Sequence, residues 1–179
     1  MEELGLKFEC HTSDYEENME LFDEPGILAK HLAVGKATSI AHKFPNAIII
    51  GADTFITIGN EKVGKPSSLA EAKKIIKNMS GKTIKVHSGI ALIQTDEESK
   101  ISQQLAEHVL TSLKIKKMTA HEINTLAGQE EALQISGAFS IEGEGGKMVE
   151  RIDGDYNNVI GLPLFRLRIM LQKLGIHLE

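Results

Sequence analysis

Apolar positions along this chain switch several times between a two-residue and a three-to-four-residue period. From Gly26 to Phe44, Ile27, His31 and Val34, with Leu28 and Leu32, recur at helical spacing and predict an amphipathic helix. Pro25 suits its first turn, acidic residues precede it, and Pro45-Asn46 ends it. Residues 47–51, Ala-Ile-Ile-Ile-Gly, form an unbroken apolar run that predicts a buried strand. Thr54 to Ile58 continues extended, and Gly59-Asn60 turns the chain. A second helix is predicted in "KPSSLAEAKKIIKNMSGK", with Ser67 or Ser68 as cap, Glu71 as reciprocal partner and Gly81 past its end. "TIKVHSGIALIQT" predicts a long strand, as does the second half of "QQLAEHVLTSLKIKKM", where Leu113 and Ile115 alternate. Thr119 and Glu122 have the spacing of a capping box that opens "TAHEINTL" as a helix. Leu6 to Ser13 alternates weakly and is expected to be a strand. The segment "GAFSIEGEGGKMVERIDGDYNNVIGLPL" is glycine-rich, with short strands expected inside it, and a last helix is predicted over about 162 to 174. Helices and strands interleave throughout, which makes the class α/β, with antiparallel pairing expected between the long strands.

Composition narrows the partners more than the fold. With 179 residues and 41% hydrophobic content the chain is long enough for a sizeable core. Its net charge of −5 argues against nucleic acid or an anionic membrane as a partner held by bulk charge. Aromatic residues are 4% and Trp is absent, so a stacking platform for single-stranded nucleic acid is not expected. One cysteine, Cys10, rules out an internal disulfide; it has no CxxC partner and reads as an inert small hydrophobe. Without a signal-like or membrane-spanning run, the expectation is a soluble cytoplasmic protein.

The candidate chemistry gathers around "AIIIGADTFITIGNEKVGKP", residues 47–66. Asp53 stands at the end of the most strand-like run, where α/β sheets collect ligands. A carboxylate there can hold Mg²⁺ or orient a water, or it can merely cap the strand exit. Lys65, before Pro66, is either a solvated surface lysine or a phosphate contact. Together, Asp53 and Lys65 suggest metal-phosphate chemistry, because Mg²⁺ is usually held by one or two carboxylates plus substrate phosphates. Glu16 and Glu17 are either a solvated acidic pair or the source of a second metal-binding carboxylate. Lys36 lies on the first helix, where most lysines face solvent. The seven histidines show no HxxxH or HxH spacing, so no zinc site is read. "GEGG", residues 143–146, lacks the lysine and Ser/Thr of a phosphate loop and can be a tight turn between strands.

Five motifs in order carry a resemblance. "GADT", "GKP" before a helix ending in "MSGK", "VHSGIAL", "SGAFSIEGEGG" and "RIDGDYNNVIGLPL" resemble the Maf (septum-formation) family of nucleoside triphosphate pyrophosphatases, from about Gly5 to Gly175. The resemblance implies a fold like that of inosine triphosphate pyrophosphatases: a long mixed twisted sheet flanked by helices, and two lobes with a nucleotide cleft between them. It implies one such domain over residues 1–179, cleavage between the α and β phosphates, a need for Mg²⁺ or Mn²⁺, and a homodimer. Asp53 falls on the family's carboxylate, base or metal ligand, with Glu17 as its metal-binding partner. Lys36 and Lys65 fall on the family's two lysines, which are implied to touch the phosphates and to act in catalysis. Thr54 and Glu142 are implied to touch substrate.

Two departures go with the resemblance. Relatives usually begin with a strand, S-x-S-x-R-R and a short helix, whereas this chain starts inside that helix, so weak catalysis is expected of it. Two arginines that grip phosphates bidentately are not easily replaced. Pyrimidine-preferring relatives carry glutamine in "GAY-x-IQG", where "GAFSIEG" here has Glu142. Relatives acting on 7-methylguanosine triphosphate have glutamate there, but usually "SDQ" in place of "ADT". An ionised glutamate offers only acceptors, which would favour a purine edge rich in N–H donors, or a cationic methylated guanine. The rival readings are an inosine/xanthosine triphosphate pyrophosphatase of the related fold, and a non-catalytic nucleotide-binding protein linked to cell division.

Overall fold

The computed structural model describes residues 5–178. Its elements in chain order are α1 (Pro25–Ala41), β1 (Ile48–Ile58), β2 (Glu61–Val63), α2 (Leu69–Met79), β3 (Thr83–Thr95), β4 (Ile101–Ile115), α3 (Ala120–Ala127), β5 (Val149–Asp153), α4 (Tyr156–Ile160) and α5 (Leu164–Lys173). The strands form one sheet in the order β2-β1-β3-β4-β5. β1 pairs antiparallel with β2, and β4 with β5. The Thr95 N–H donates to the Ala47 carbonyl at 3.0 Å and that of Asn46 to the Asp96 carbonyl at 2.9 Å, so the start of β1 meets the end of β3. The Asp96 N–H closes the β3–β4 turn on the Lys100 carbonyl at 2.9 Å. The long strands thus pair antiparallel, as the patterning predicts, and no parallel pairing is described among these five strands.

The helix signals act where they were read. Glu24 caps α1, its carboxylate accepting the N–H groups of Gly26 and Ile27 at 3.0 and 2.5 Å. Ser68 caps α2, while Glu71 reaches back to the Ser67 N–H at 2.7 Å. Thr119 and Glu122 form the complete capping box of α3. The differences lie in segments without strong periodicity. Leu6 to Ser13 is irregular and not a strand. β4 begins at Ile101, so the first half of that segment is strand as well. The glycine-rich segment holds two 3₁₀ turns, Ser136–Ala138 at its start and Glu144–Met148, before its one strand, β5. Cys10 is exposed rather than packed as a small hydrophobe.

The chain divides into two compact units, and β1, β3 and β4 contribute to both. The first comprises the residues up to Asp53, Ser88–Val109, and those from Gly161. Successive residues of its strand segments face opposite ways. Ile49, Ala91 and Ile93 pack with Ala33, Ala37 and Ile40 of α1. Ile90 and Leu92 pack with Leu167, Met170 and Leu171 of α5. Helices on both faces explain why the "GIALI" run reads as continuously apolar. The second unit comprises Thr54–His87 and Leu110–Ile160. Its core joins Ile56, Ile84, Val86, Leu113 and Ile115 to Ile76 and Met79 of α2 and Leu126 of α3. Among the described residues, no helix is long and apolar enough to cross a membrane.

Candidate functional site

The carboxylate at the end of the apolar run is placed by the close approach of α1 to the sheet. Gly51 of β1 and Gly89 of β3 present bare backbone to the helix. A Cβ on Gly51 would collide with the Ala33 carbonyl, and one on Gly89 with the Ala29 carbonyl. Ala29, Ala33 and Ala37 supply the small, fully buried helix face that meets them. Gly51 and Asp53, two residues apart on β1, share a face of the strand. The glycine of the "GADT" motif thus brings the helix down onto the face from which Asp53 projects.

Lys36, beside Ala37 on α1, uses that proximity. Its Nζ donates to Asp53 Oδ1 at 2.6 Å and lies 2.8 Å from Glu17 Oε1. Asp53 is buried at 7% exposure, the Lys36 side chain is 24% exposed and the Glu17 side chain 42%. Burial alone would lower the Lys36 pKa. The hydrogen bonds to Asp53 and then Glu17, with the charges of both, outweigh it and hold the ammonium above the ordinary lysine value. One ammonium between two carboxylates leaves this cluster one negative charge in excess. Glu17, Lys36 and Asp53 come from a loop, a helix and a strand, and the fold unites them.

Thr54, Lys65 and Glu142 belong to the second unit. The turn at Ser136–Gly137 ties Thr54 of β1 to the segment before Lys65 by backbone-directed bonds. The Ser136 hydroxyl donates to the Thr54 carbonyl at 3.2 Å, and the Gly137 N–H donates to the Gly64 carbonyl, just before Lys65, at 3.1 Å. Gly137 adopts φ +79°, and a Cβ there would meet Ile56. Ala138 is held at φ +63° although it is not glycine and is fully buried. Such backbone costs of order 1 kcal/mol and persists where its surroundings over-determine it. Lys65 and Glu142 are exposed, and neither side chain makes a hydrogen bond or ion pair among the described residues. The "GEGG" run folds a 3₁₀ turn ahead of β5 rather than a turn between two strands. Gly145 lies against Phe139 and Ser140, and Gly146 against the Ile141 carbonyl.

A profile of the family described as Maf-like protein matches residues 1–174. The chain belongs to this family. It is similar to a dTTP/UTP pyrophosphatase of Methanococcoides burtonii, with 36% identity over 174 residues, 97% of this chain and 87% of the relative. It is also similar to one of Bacillus anthracis, with 34% identity over 176 residues, 98% of this chain and 89% of the relative. A third dTTP/UTP pyrophosphatase, of Bacillus cereus, is 34% identical over 98% of this chain and 84% of its own length.

A divalent metal fits this Maf-like chain only in part. Asp53 and Glu17 offer hard oxygen donors converging on one point, marked by the Lys36 ammonium. Among the described residues, no group of three or more His, Cys, Asp or Glu could hold a metal by itself. That donor set suits an ion completed by substrate phosphates, the usual situation of Mg²⁺. Sequence reasoning missed the residues that hold the site residues in place. Ser136 and Gly137 were read only as part of a motif. Tyr15 carries no spacing signal, and His31, with which it meets through a side-chain hydrogen bond at 3.0 Å, is read only as part of the helical pattern of α1.

Proposed function

We propose that this chain hydrolyses a nucleoside triphosphate to the monophosphate and pyrophosphate, with a divalent metal. The observation that carries the reading is the Glu17–Lys36–Asp53 cluster, one ammonium shared by two carboxylates on converging elements. The names of the relatives, dTTP/UTP pyrophosphatase, support the reaction class. A water oxygen attacks the α-phosphorus, and the bridging P–O bond to the β-phosphate breaks with its electron pair leaving on pyrophosphate. A metal held by Asp53 and Glu17 would screen phosphate charge and acidify or position the water. Lys36, fixed in its charged form, stabilises charge that builds on the phosphates. Lys65, exposed and unpaired among the described residues, is available to do the same for the leaving pyrophosphate. Asp53 has two possible roles, metal ligand and acceptor of the water's proton. Asp53→Asn is expected to lower pyrophosphate release about 10²–10⁴-fold. Mn²⁺ titration of the same variant separates the roles: lost Mn²⁺ binding makes Asp53 a ligand, retained binding makes it the base. Undiminished release from Asp53→Asn would overturn the reading, and triphosphate binding without turnover in the unmodified chain would favour a binding protein.

The base is proposed on two grounds that point apart. The relatives' names lead to dTTP and UTP as first substrates. Glu142 favours a base with more N–H donors, because its exposed carboxylate can only accept. The imide edge of thymine or uracil offers one N–H, that of guanine N–H and NH₂ together. Relative kcat/KM on dTTP, UTP, GTP, 7-methyl-GTP, ITP and XTP decides between them. A preference for dTTP or UTP ends the purine reading of Glu142. A guanine preference that Glu142→Gln shifts toward pyrimidines supports it, and a preference for ITP and XTP favours the inosine/xanthosine alternative.

A further inference from the structure

Glu17 reaches Lys36 from a segment that has no secondary structure of its own. Residues 13–17 make no backbone-to-backbone hydrogen bond among the described residues. They lie along α1, with Ser13 and Tyr15 half-buried and Asp14 and Glu16 exposed. Two side-chain hydrogen bonds anchor the stretch before Glu17, beside an exposed Asp14–Lys43 ion pair at 3.6 Å. Ser13 Oγ lies 2.9 Å from Ser39 Oγ, and Tyr15 Oη lies 3.0 Å from His31 Nε2. Between these anchor points on the helix stand Gly35 and Lys36. The Tyr15 ring rests where a Gly35 side chain would be: an added Cβ would collide with three atoms at the far end of the ring. Gly35 is a glycine in a helix interior, which ordinarily disfavours the helix. The helix-weakening residue therefore stands where the tyrosine needs the space.

We propose that Tyr15, seated on the bare backbone of Gly35 and tied to His31, is a positioning residue that holds Glu17 against Lys36. Among the described residues Tyr15 makes no hydrogen bond to Asp53 or to the Lys36 ammonium, and it acts through the short stretch of chain that ends at Glu17. The catalytic consequence rests on the proposed hydrolysis, while the anchoring itself does not.

The test is a double-mutant cycle with Gly35→Ala and Glu17→Gln, read by pyrophosphate release, beside a proteolysis measurement that needs no activity. Gly35→Ala adds a better helix former, so the fold is expected to keep its Tm. It displaces the Tyr15 ring, so kcat/KM falls about tenfold or more, in the range of a misplacement of about 1 Å. In the Glu17→Gln background the same change is expected to have almost no further effect, because both act through one carboxylate. Effects that multiply in full would show that Gly35 acts elsewhere and overturn the proposal. In parallel, a Glu-specific protease is expected to cut after Glu16, Glu17 or Glu20 several-fold faster in Gly35→Ala and in Tyr15→Ala, with Tm unchanged. Tyr15→Phe, which keeps the ring on Gly35, is expected to lie between these and the parent chain. Unchanged cleavage in Gly35→Ala and Tyr15→Ala would overturn the anchoring. If the parent chain releases no pyrophosphate, the functional reading falls, and the proteolysis alone decides whether Tyr15 and Gly35 hold the segment.

Discussion

Lys36 stays protonated across the physiological range, since two carboxylates outweigh its burial. It therefore contributes charge and geometry rather than proton transfer. Lys36→Met is expected to remove both. Asp53 is left buried without its ammonium, at a cost of about 2–3 kcal/mol. That is less than for a fully buried pair, because the Lys36 side chain is about a quarter exposed. Urea denaturation measures the loss, and pyrophosphate release is expected to fall further than stability alone explains. Lys36→Arg is expected to recover stability better than release, since a planar fork cannot replace a compact ammonium between two carboxylates. Equal recovery of both would make the contact purely structural. At this scale the sequence was legible where residues fell on a motif. Asp53 and Lys36 could be named, but not their 2.6 Å contact, which joins residues 17 apart through a helix and a strand. Tyr15 and Gly35 were illegible, because a lone tyrosine or helical glycine matches no spacing rule, and His31 was legible only as a position on the helix.

The decisive element is α1 on its sheet. Gly51→Ala is expected to push the helix away, since the clash is with the Ala33 backbone carbonyl and not with a movable side chain. Overpacking of this kind costs about 1–3 kcal/mol. Because the same shift opens the contact between Lys36 and Asp53, release is expected to drop about tenfold or more. A variant that loses stability and keeps full kcat/KM would separate the packing from the site. The elements that were legible are those with strong local signals: α2 and α3 with their caps, and β3 with its unbroken apolar run. The first half of β4 was not, because its residues are exposed or half-buried and show no apolar alternation. It is a strand by virtue of the β3–β4 turn and its neighbour's ladder. Leu6 to Ser13 failed in the opposite sense, since weak alternation without a partner strand gives no ladder.

For the whole molecule, the titrating groups limit stability on both sides of neutral pH. Burial lowers the His108 pKa; Glu24 opposes this and Lys30 adds to it. A depressed histidine binds fewer protons folded than unfolded, so its contribution is complete above the ordinary value of 6.5 and is lost as pH falls below it. Glu122 is held at about 2 by the Lys116 hydrogen bond and then by the Thr119 backbone. Glu71 is lowered by its hydrogen bonds to Ser67. Their contributions are complete above about 4.5 and are lost as pH falls, for Glu122 through about 2. Lys36 has the opposite shift, and its contribution is lost only as pH rises through a value above 10.5. The urea midpoint is therefore expected to be flat from about pH 7 to 10, and to fall in two stages on the acid side. His108→Gln is expected to flatten the first stage, the one that sets in below about pH 6.5. Glu122→Gln is expected to shrink the second, and a first stage that survives His108→Gln would place that titration on another group.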